Sequence, residues 1–216
     1  MIKFDNVTAT YKKNIGIFNI SFEVNPGELV FIMGPTGAGK STILKTIYKD
    51  IHIDSGRIFL NKREISNSSS NLSISNTRSE IGMIFQDFKL LNDRNVYDNV
   101  ALPLRISGVS NKDIKHMVRE SLNKVNMSNY ELSYPLELSG GEQQRIAIAR
   151  ALVNNPKIIL ADEPTGNLDP NISDEILDLL ELFTHNGSAV LMSTHNFPLI
   201  KPRNKKFIEL SKGRMV

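Results

Sequence analysis

The sequence contains no cysteine, so neither disulfide staples nor thiolate metal sites are available. That usage suits a reducing compartment, and a cytoplasmic location is the default expectation. Long hydrophobic runs are also missing, and no apolar stretch approaches the roughly 18 residues of a membrane span. The opening Met1-Ile2-Lys3-Phe4-Asp5 alternates like a strand, without the charged head and apolar centre of a signal peptide. The chain is therefore expected to be soluble by itself. Charge of one sign is lacking too, since 26 Lys and Arg face 23 Asp and Glu, a formal net charge of +3. With these charges scattered, no nucleic-acid partner is expected. One local basic cluster, residues 201–206 (KPRNKK), reads as a solvated loop and not as a binding patch.

What is present is enough for one sizeable core: 216 residues, 40% hydrophobic and 23% charged. A single domain over residues 1–216 is expected, with a helical lobe inside it. Phe18, Ile20, Phe22 and Val24 alternate with polar residues, the period of a half-buried strand, and Asn25-Pro26-Gly27 supplies a turn. Leu29 to Met33, Lys157 to Ala161 and Ser188 to Ser193 are nearly continuous apolar runs, as buried parallel strands tend to be. Helical patterns lie among them. Ser110 to Asp113 reads as a capping box ahead of Ile114, Met117, Val118, Leu122 and Val125 on one face. Asp169 reads as an N-cap with Pro170 at the first helical position, followed by Ile172, Ile176, Leu179, Leu180 and Phe183. Strands alternating with helices predict an α/β layered core with a mostly parallel sheet, entered through an N-terminal β region. The polar stretch 66–79 (SNSSSNLSISNTRS) reads as a mobile loop.

Directly behind the Leu29 to Met33 run, residues 34–41 (GPTGAGKS) fit G-x-x-x-x-G-K-[ST] between a strand and a helical pattern, the context that phosphate-binding motif requires. Gly34, Pro35, Thr36, Gly37, Ala38 and Gly39 would curl backbone N–H groups around phosphate oxygens, helped by the helix N-terminus at Lys40, Ser41 and Thr42. Lys40 would reach the β and γ phosphates, and Ser41 would offer a hydroxyl to Mg²⁺. The apolar run 158–161 then delivers Asp162 and Glu163. Asp162 is the candidate second metal ligand and Glu163 the candidate base for an attacking water. Alone, such a strand end is as readily a strand meeting a polar loop; the phosphate loop gives it meaning.

Leu138-Ser139-Gly140-Gly141-Glu142-Gln143-Gln144 opens another helical pattern, with Ser139 and Glu142 spaced as a capping box. Here the sequence resembles the ABC ATPase superfamily, whose signature is LSGGQ-like. The resemblance covers Phe4 to Arg214. It implies ATP and Mg²⁺ as cofactors and a P-loop NTPase fold of ABC type: a mostly parallel sheet, an N-terminal antiparallel β region and a helical signature subdomain at about 87–153. It also implies a homodimer in which Ser139, Gly140, Gly141 and Glu142 of one copy face the γ phosphate bound by the other. By the same resemblance Tyr11 stacks on adenine, and Gln86 is the Q-loop glutamine with metal-binding and catalytic roles. Asn167-Leu168-Asp169 forms the D-loop, with Asp169 at the nucleotide, and His195 is the catalytic switch histidine. Each has a plain structural explanation by itself, and the order of the set is what reverses it.

The wording of residues 161–169 (ADEPTGNLD) is similar to the branch holding lipoprotein-release ATPases, MacB-type exporters and FtsE-type cell-division ATPases. Residues 81–104 and 138–156 are most similar to the FtsE type. That type implies an integral membrane partner resembling FtsX, docking near the Q-loop at the inner face of the plasma membrane. ATP-driven closure would be relayed as a signal to peptidoglycan hydrolases through periplasmic or extracellular activators. The alternative is the ATPase subunit of a lipoprotein-release or export transporter. Phe85, Phe88, Leu90 and Leu91 around Gln86 either form the docking surface or pack the helical lobe. Two departures stand out: the polar stretch 66–79 replaces a more basic helical segment, and Asn196 stands where aspartate usually follows the switch histidine.

Overall fold

The computed structural model describes residues 1–12, 15–66, 70–166 and 168–216. Strands β1 (Ile2–Lys12) and β2 (Ile15–Val24) pair antiparallel. Next come β3 (Leu29–Met33), helix α1 (Lys40–Ile47), β4 (Ser55–Leu60) and β5 (Arg63–Glu64). Helix α2 (Asn71–Ser79) precedes β6 (Ile81–Ile84), and α3 (Val96–Ile106), α4 (Asn111–Lys124) and α5 (Gly140–Leu152) form the helical layer. The chain closes with β7 (Ile158–Asp162), α6 (Pro170–His185), β8 (Ala189–Thr194), α7 (Phe197–Ile200), β9 (Lys206–Ser211) and β10 (Arg214–Met215).

Two sheets result. A four-stranded antiparallel sheet runs β2-β1-β4-β5, and a six-stranded sheet runs β10-β9-β3-β8-β7-β6, parallel except for its edge pair β9 and β10. The central strands of the six-stranded sheet are buried on both faces, which is why they read as unbroken apolar runs. Period-two alternation splits each strand between two cores. Phe31, Ile159, Ala161, Val190 and Met192 join α3, α4, α5 and α6 on one face. Val30, Ile32, Ile158, Leu160 and Leu191 pack with α1 and the antiparallel sheet on the other.

The helix caps follow the sequence closely. Ser139 accepts from the Glu142 amide while the Glu142 carboxylate accepts from Ser139 N–H, a reciprocal box. Asp169 Oδ1 accepts from the Asn171 and Ile172 amides. At Ser110 only half of the expected box forms: its hydroxyl accepts from Asp113 N–H at 3.3 Å and donates to Asp113 Oδ2 at 2.6 Å, and the aspartate side chain is one methylene shorter than the glutamate that closes the box at Ser139. Of the anticipated α4 face, Ile114, Val118, Leu122 and Val125 are buried and Met117 packs against them. In α6 Ile176, Leu180 and Phe183 are buried, as is Leu177, which the pattern did not single out.

Two expectations are corrected. The polar stretch anticipated as a loop contains α2, and its residues 67–69 lie outside the described ones. Ser70 caps the helix by accepting from Ser73 N–H. Arg78 ties its far end down by donating to the Tyr48 and Lys49 carbonyls and to Asp50, with its guanidinium 4.7 Å from the Tyr48 ring centre. Cap and tertiary anchor outweigh the weak helix propensity of Ser and Asn. The basic cluster is not a free solvated loop either. Arg203 turns back onto α6, pairing with Asp174, Asp178 and Glu181, and Lys205 also reaches Glu181.

Arg203 thus secures the link between α6 and β9. Arg203→Ala is expected to cost about 1–2 kcal/mol, the exposed Asp174 and Asp178 being partly screened by solvent. Thermal denaturation should record a fall of roughly 2–8 °C, and an unchanged midpoint would remove that role.

Candidate active site

Parallel pairing aligns the strand ends that carry the chemistry. Met33 is opposite Thr194, and Asp162 is opposite Ser193. The loop after β3, the Asp162-Glu163 pair after β7 and His195 after β8 therefore leave the sheet at the same end, where α/β folds place their sites.

Close contacts require glycine at two positions of the loop of residues 34–39. At Gly34 (φ 146°) a Cβ would come within 2.3 Å of the Leu210 carbonyl oxygen, and at Gly39 (φ 106°) within 2.8 Å of Ile17 Cγ2. Gly39 is the N-cap of α1 and offers no side chain to its first amides, which leaves them pointing toward the loop's concave side. The loop is braced from outside by Gly213 N–H, which donates to the Ala38 carbonyl at 3.0 Å.

Lys40 is buried and curls back into this loop. Its Nζ donates to the Gly34 carbonyl at 2.8 Å and the Pro35 carbonyl at 3.3 Å, and stands 3.2 Å from Glu163 Oε1. The other carboxylate oxygen of Glu163 is 2.9 Å from His195 Nδ1. Glu163 has φ +46°, a left-handed conformation that a non-glycine residue adopts only when its surroundings hold it there. The holding contacts are its amide bonds to Ser193 Oγ at 2.9 Å and the Ser193 carbonyl at 3.2 Å. Ser193 Oγ in turn donates to Asp162 Oδ1 at 2.7 Å, and Ser41 Oγ donates to the same oxygen at 2.9 Å. Ser41, Asp162, Ser193, Glu163, Lys40 and His195 thus form one connected network.

An open cavity of about 430 Å³ lies above the network, within the usual size range of small-molecule sites. Tyr11, Thr36, Gly37, Gly39, Lys40, Ser41, Thr42, Gln86, Glu163 and His195 line it. Gly34, Pro35 and Ala38 belong to the same loop but do not line the cavity, and Asp162 reaches it through Ser41.

The remaining sequence candidates lie elsewhere. Ser139, Gly140, Gly141, Glu142 and Asp169 do not line this cavity. They come together at the start of α5 and α6, where a Cβ on Gly141 would meet Ile172 Cδ1 at 2.9 Å. Ser139 hydroxyl and amide, with the Tyr130 hydroxyl, hold the Glu142 carboxyl below its ordinary pKa range. Asn167 lies outside the described residues. Sequence reasoning missed Ser193, whose only signal was a small polar residue ending an apolar run. It also missed Lys45, which follows Ser41 by one helical turn and shares its face.

A glycine loop at a helix N-terminus, a buried lysine inside it and a serine bonded to an aspartate at the end of a parallel strand define a P-loop nucleotide-binding cassette. Residues 17–166 match the ABC transporter family. The whole chain is 45% identical to the cell division ATP-binding protein FtsE of Escherichia coli K12, covering 97% of that protein. To the protein of the same name from Mycobacterium tuberculosis it is 43% identical, again over 100% of this chain and 94% of that one. Its fold superimposes on the dimeric structure of the ABC transporter cassette MJ0796 with a TM-score of 0.89 at 35% identity, covering 100% of this chain and 96% of the other. The chain belongs to the ABC transporter ATPase family, in its FtsE-like branch. It is an ATP-binding and ATP-hydrolysing enzyme. No helix among the described residues is long and apolar enough to cross a membrane.

Among the described residues Lys40 is the one cation buried inside the phosphate loop. Lys40→Ala should weaken ATP binding by at least about tenfold, the scale of a lost charge-assisted hydrogen bond. Titration with a fluorescent ATP analogue reads this directly, and unchanged affinity would remove Lys40 from the site.

Proposed function

We propose that the chain is the ATPase subunit of a membrane-associated complex and works as an ATP-gated clamp between two copies of itself. Lys40 and the amides of residues 34–42 would hold the phosphates, and Tyr11, exposed at the cavity mouth, would stack on adenine. The residues present also fit Mg²⁺. Among the described residues there is no cluster of three or more His, Cys, Asp or Glu able to hold a metal, but this ion commonly takes one or two protein oxygens and completes its shell with phosphate and water. Ser41 and Asp162 supply that pair, with Gln86 at the cavity as a further oxygen donor. When bound, the ion neutralises charge developing on the β and γ oxygens.

The observation that carries the hydrolytic reading is Glu163, clasped by Lys40 on one carboxylate oxygen and by His195 on the other. From there it would accept a proton from the attacking water, with His195 orienting its carboxylate and Gln86 closing the cavity from the side. Asn196 leaves this arrangement intact, because its side chain caps α7 by accepting from Leu199 N–H. The signature residues Ser139 to Glu142 and Asp169 do not line the chain's own cavity, which leaves them available to complete the site of a second copy. A dimer closed by shared ATP contacts would open when hydrolysis removes them.

Full-length identity of 41–45% to FtsE proteins from four distant bacteria supports the finer role. With an FtsX-like membrane subunit, the clamp would pass a mechanical signal across the membrane that activates peptidoglycan hydrolases during division. A mostly apolar groove of about 530 Å³ between the core and the helical layer is the candidate docking site, with Phe85, Met83, Leu102, Pro103 and Ile106 among its walls. Of the four side chains around Gln86, Phe85 faces this groove while Leu90 packs into the helical core. One cassette over residues 1–216, with its helical part at about 87–153, is the unit that would dock at the inner membrane face.

Glu163→Gln keeps the shape and loses the base. Its turnover should fall by at least about 10²-fold, while size-exclusion chromatography with Mg-ATP shows a persistent dimer; hydrolysis at the normal rate would exclude Glu163 as the base. For the finer role, depletion should give filamentous cells, and a membrane subunit should co-purify from detergent extracts. Normal septation with failed lipoprotein release would instead establish the exporter alternative.

A further inference from the structure

The segment that follows β6 carries an unusual piece of backbone. Phe88 (φ 57°) and Lys89 (φ 52°) are consecutive non-glycine residues in the left-handed region, a pairing that side-chain sterics disfavour at each position. A single side chain from another element grips both. Arg150, near the C-terminal end of α5, donates from Nη2 to the Phe88 carbonyl and from Nη1 to the Lys89 carbonyl, each at 2.6 Å. Burial pulls the Arg150 guanidinium below its ordinary pKa, opposed by Tyr48.

Beyond the turn the backbone is held a second time. Buried Asn99 of α3 accepts from Leu91 N–H at 2.8 Å, and its amide nitrogen faces the Leu91, Arg94 and Asn95 carbonyls at 3.0 Å. Only the Arg150 grip, however, holds strained residues, and it sits between two cavities. Gln86 lines the nucleotide cavity, whereas Phe85, Lys89 and Arg150 itself line the groove. The turn begins two residues after Gln86, and Gln86 shares its cavity with Lys40, Glu163 and His195, so the position of the turn and the reach of that side chain are linked through a single short segment.

We infer that Arg150 is a positioning residue for hydrolysis: it keeps the 88–89 turn left-handed and thereby fixes Gln86 over the nucleotide cavity. The fork geometry of a guanidinium suits two adjacent carbonyls, which an ammonium can serve only one at a time. Because Arg150 rides on α5, whose first turn carries Ser139 to Glu142, a shift of that helix moves the turn with it. The inference rests on the reading that Gln86 acts at the nucleotide.

The test is a double-mutant cycle on the full chain, reading kcat and KM for Mg-ATP. Arg150→Met should lower kcat about tenfold with KM within about twofold, and should cost nothing further once Gln86→Ala is present. Arg150→Lys should fall between Arg150→Met and the parent. Adding Lys89→Gly to Arg150→Met should recover about threefold in kcat, because glycine enters the left-handed region without a Cβ penalty. Should Arg150→Met fail to fold, Arg150→Lys carries the same cycle and the same rescue. Additive losses with Gln86→Ala, or no recovery with Lys89→Gly, overturn the inference while leaving the role of Gln86 standing. Wild-type kcat in Gln86→Ala alone removes the reading beneath it, and the inference falls for that separate reason.

Discussion

Parallel pairing of β3, β7 and β8 places Met33 beside Thr194 and Asp162 beside Ser193. Ser41 and Asp162, 121 residues apart in the chain, meet at 2.9 Å because of that register. A slip of one residue would turn every side chain of a strand to the opposite face. Each face is buried in a different core, so the register that carries the chemistry is fixed by apolar packing on both sides. The site inherits its precision from residues that take no part in the reaction.

Two of the left-handed non-glycine sites follow strands that lead to the nucleotide cavity. Glu163 is left-handed and secured by Ser193, whose hydroxyl also steadies Asp162. Phe88 and Lys89 are left-handed and secured by Arg150. In both places the conformation is over-determined by partners from a neighbouring element, the condition under which such backbone persists. Both are on segments that border the nucleotide cavity, so the strained backbone lies where closure and opening would be felt.

Much of this was legible in one dimension. Nearly continuous apolar runs at 29–33, 157–161 and 188–193 gave buried strands, since burial on both faces removes the need for alternation. Ser139, Asp169 and Ser110 marked helix starts because their side chains satisfy local amides. Residues 71–79 were not legible: their composition is that of a loop, and they are helical because Ser70 caps them and Arg78 anchors them to the end of α1. The cluster 201–206 was misjudged for a similar reason, as Arg203 finds three carboxylates spread along α6, whose nearness no local pattern encodes.

The sequence by itself determined the residue types that the chemistry needs and the local backbone that presents them. Caps, periodic faces and the ordered motifs are short-range properties, fixed by sterics and hydrogen bonding within a few residues, whereas the close approaches that demand Gly34 and Gly39 come from Leu210 and Ile17. Tertiary structure alone decided which side chains meet: Glu163 between Lys40 and His195, Ser193 beneath Asp162 and Glu163, Arg150 on the 88–89 turn. Those contacts join positions 30 to 123 residues apart, or 61 and 62 in the case of Arg150. Their geometry comes from sheet register and helix packing, which depend on the whole core at once.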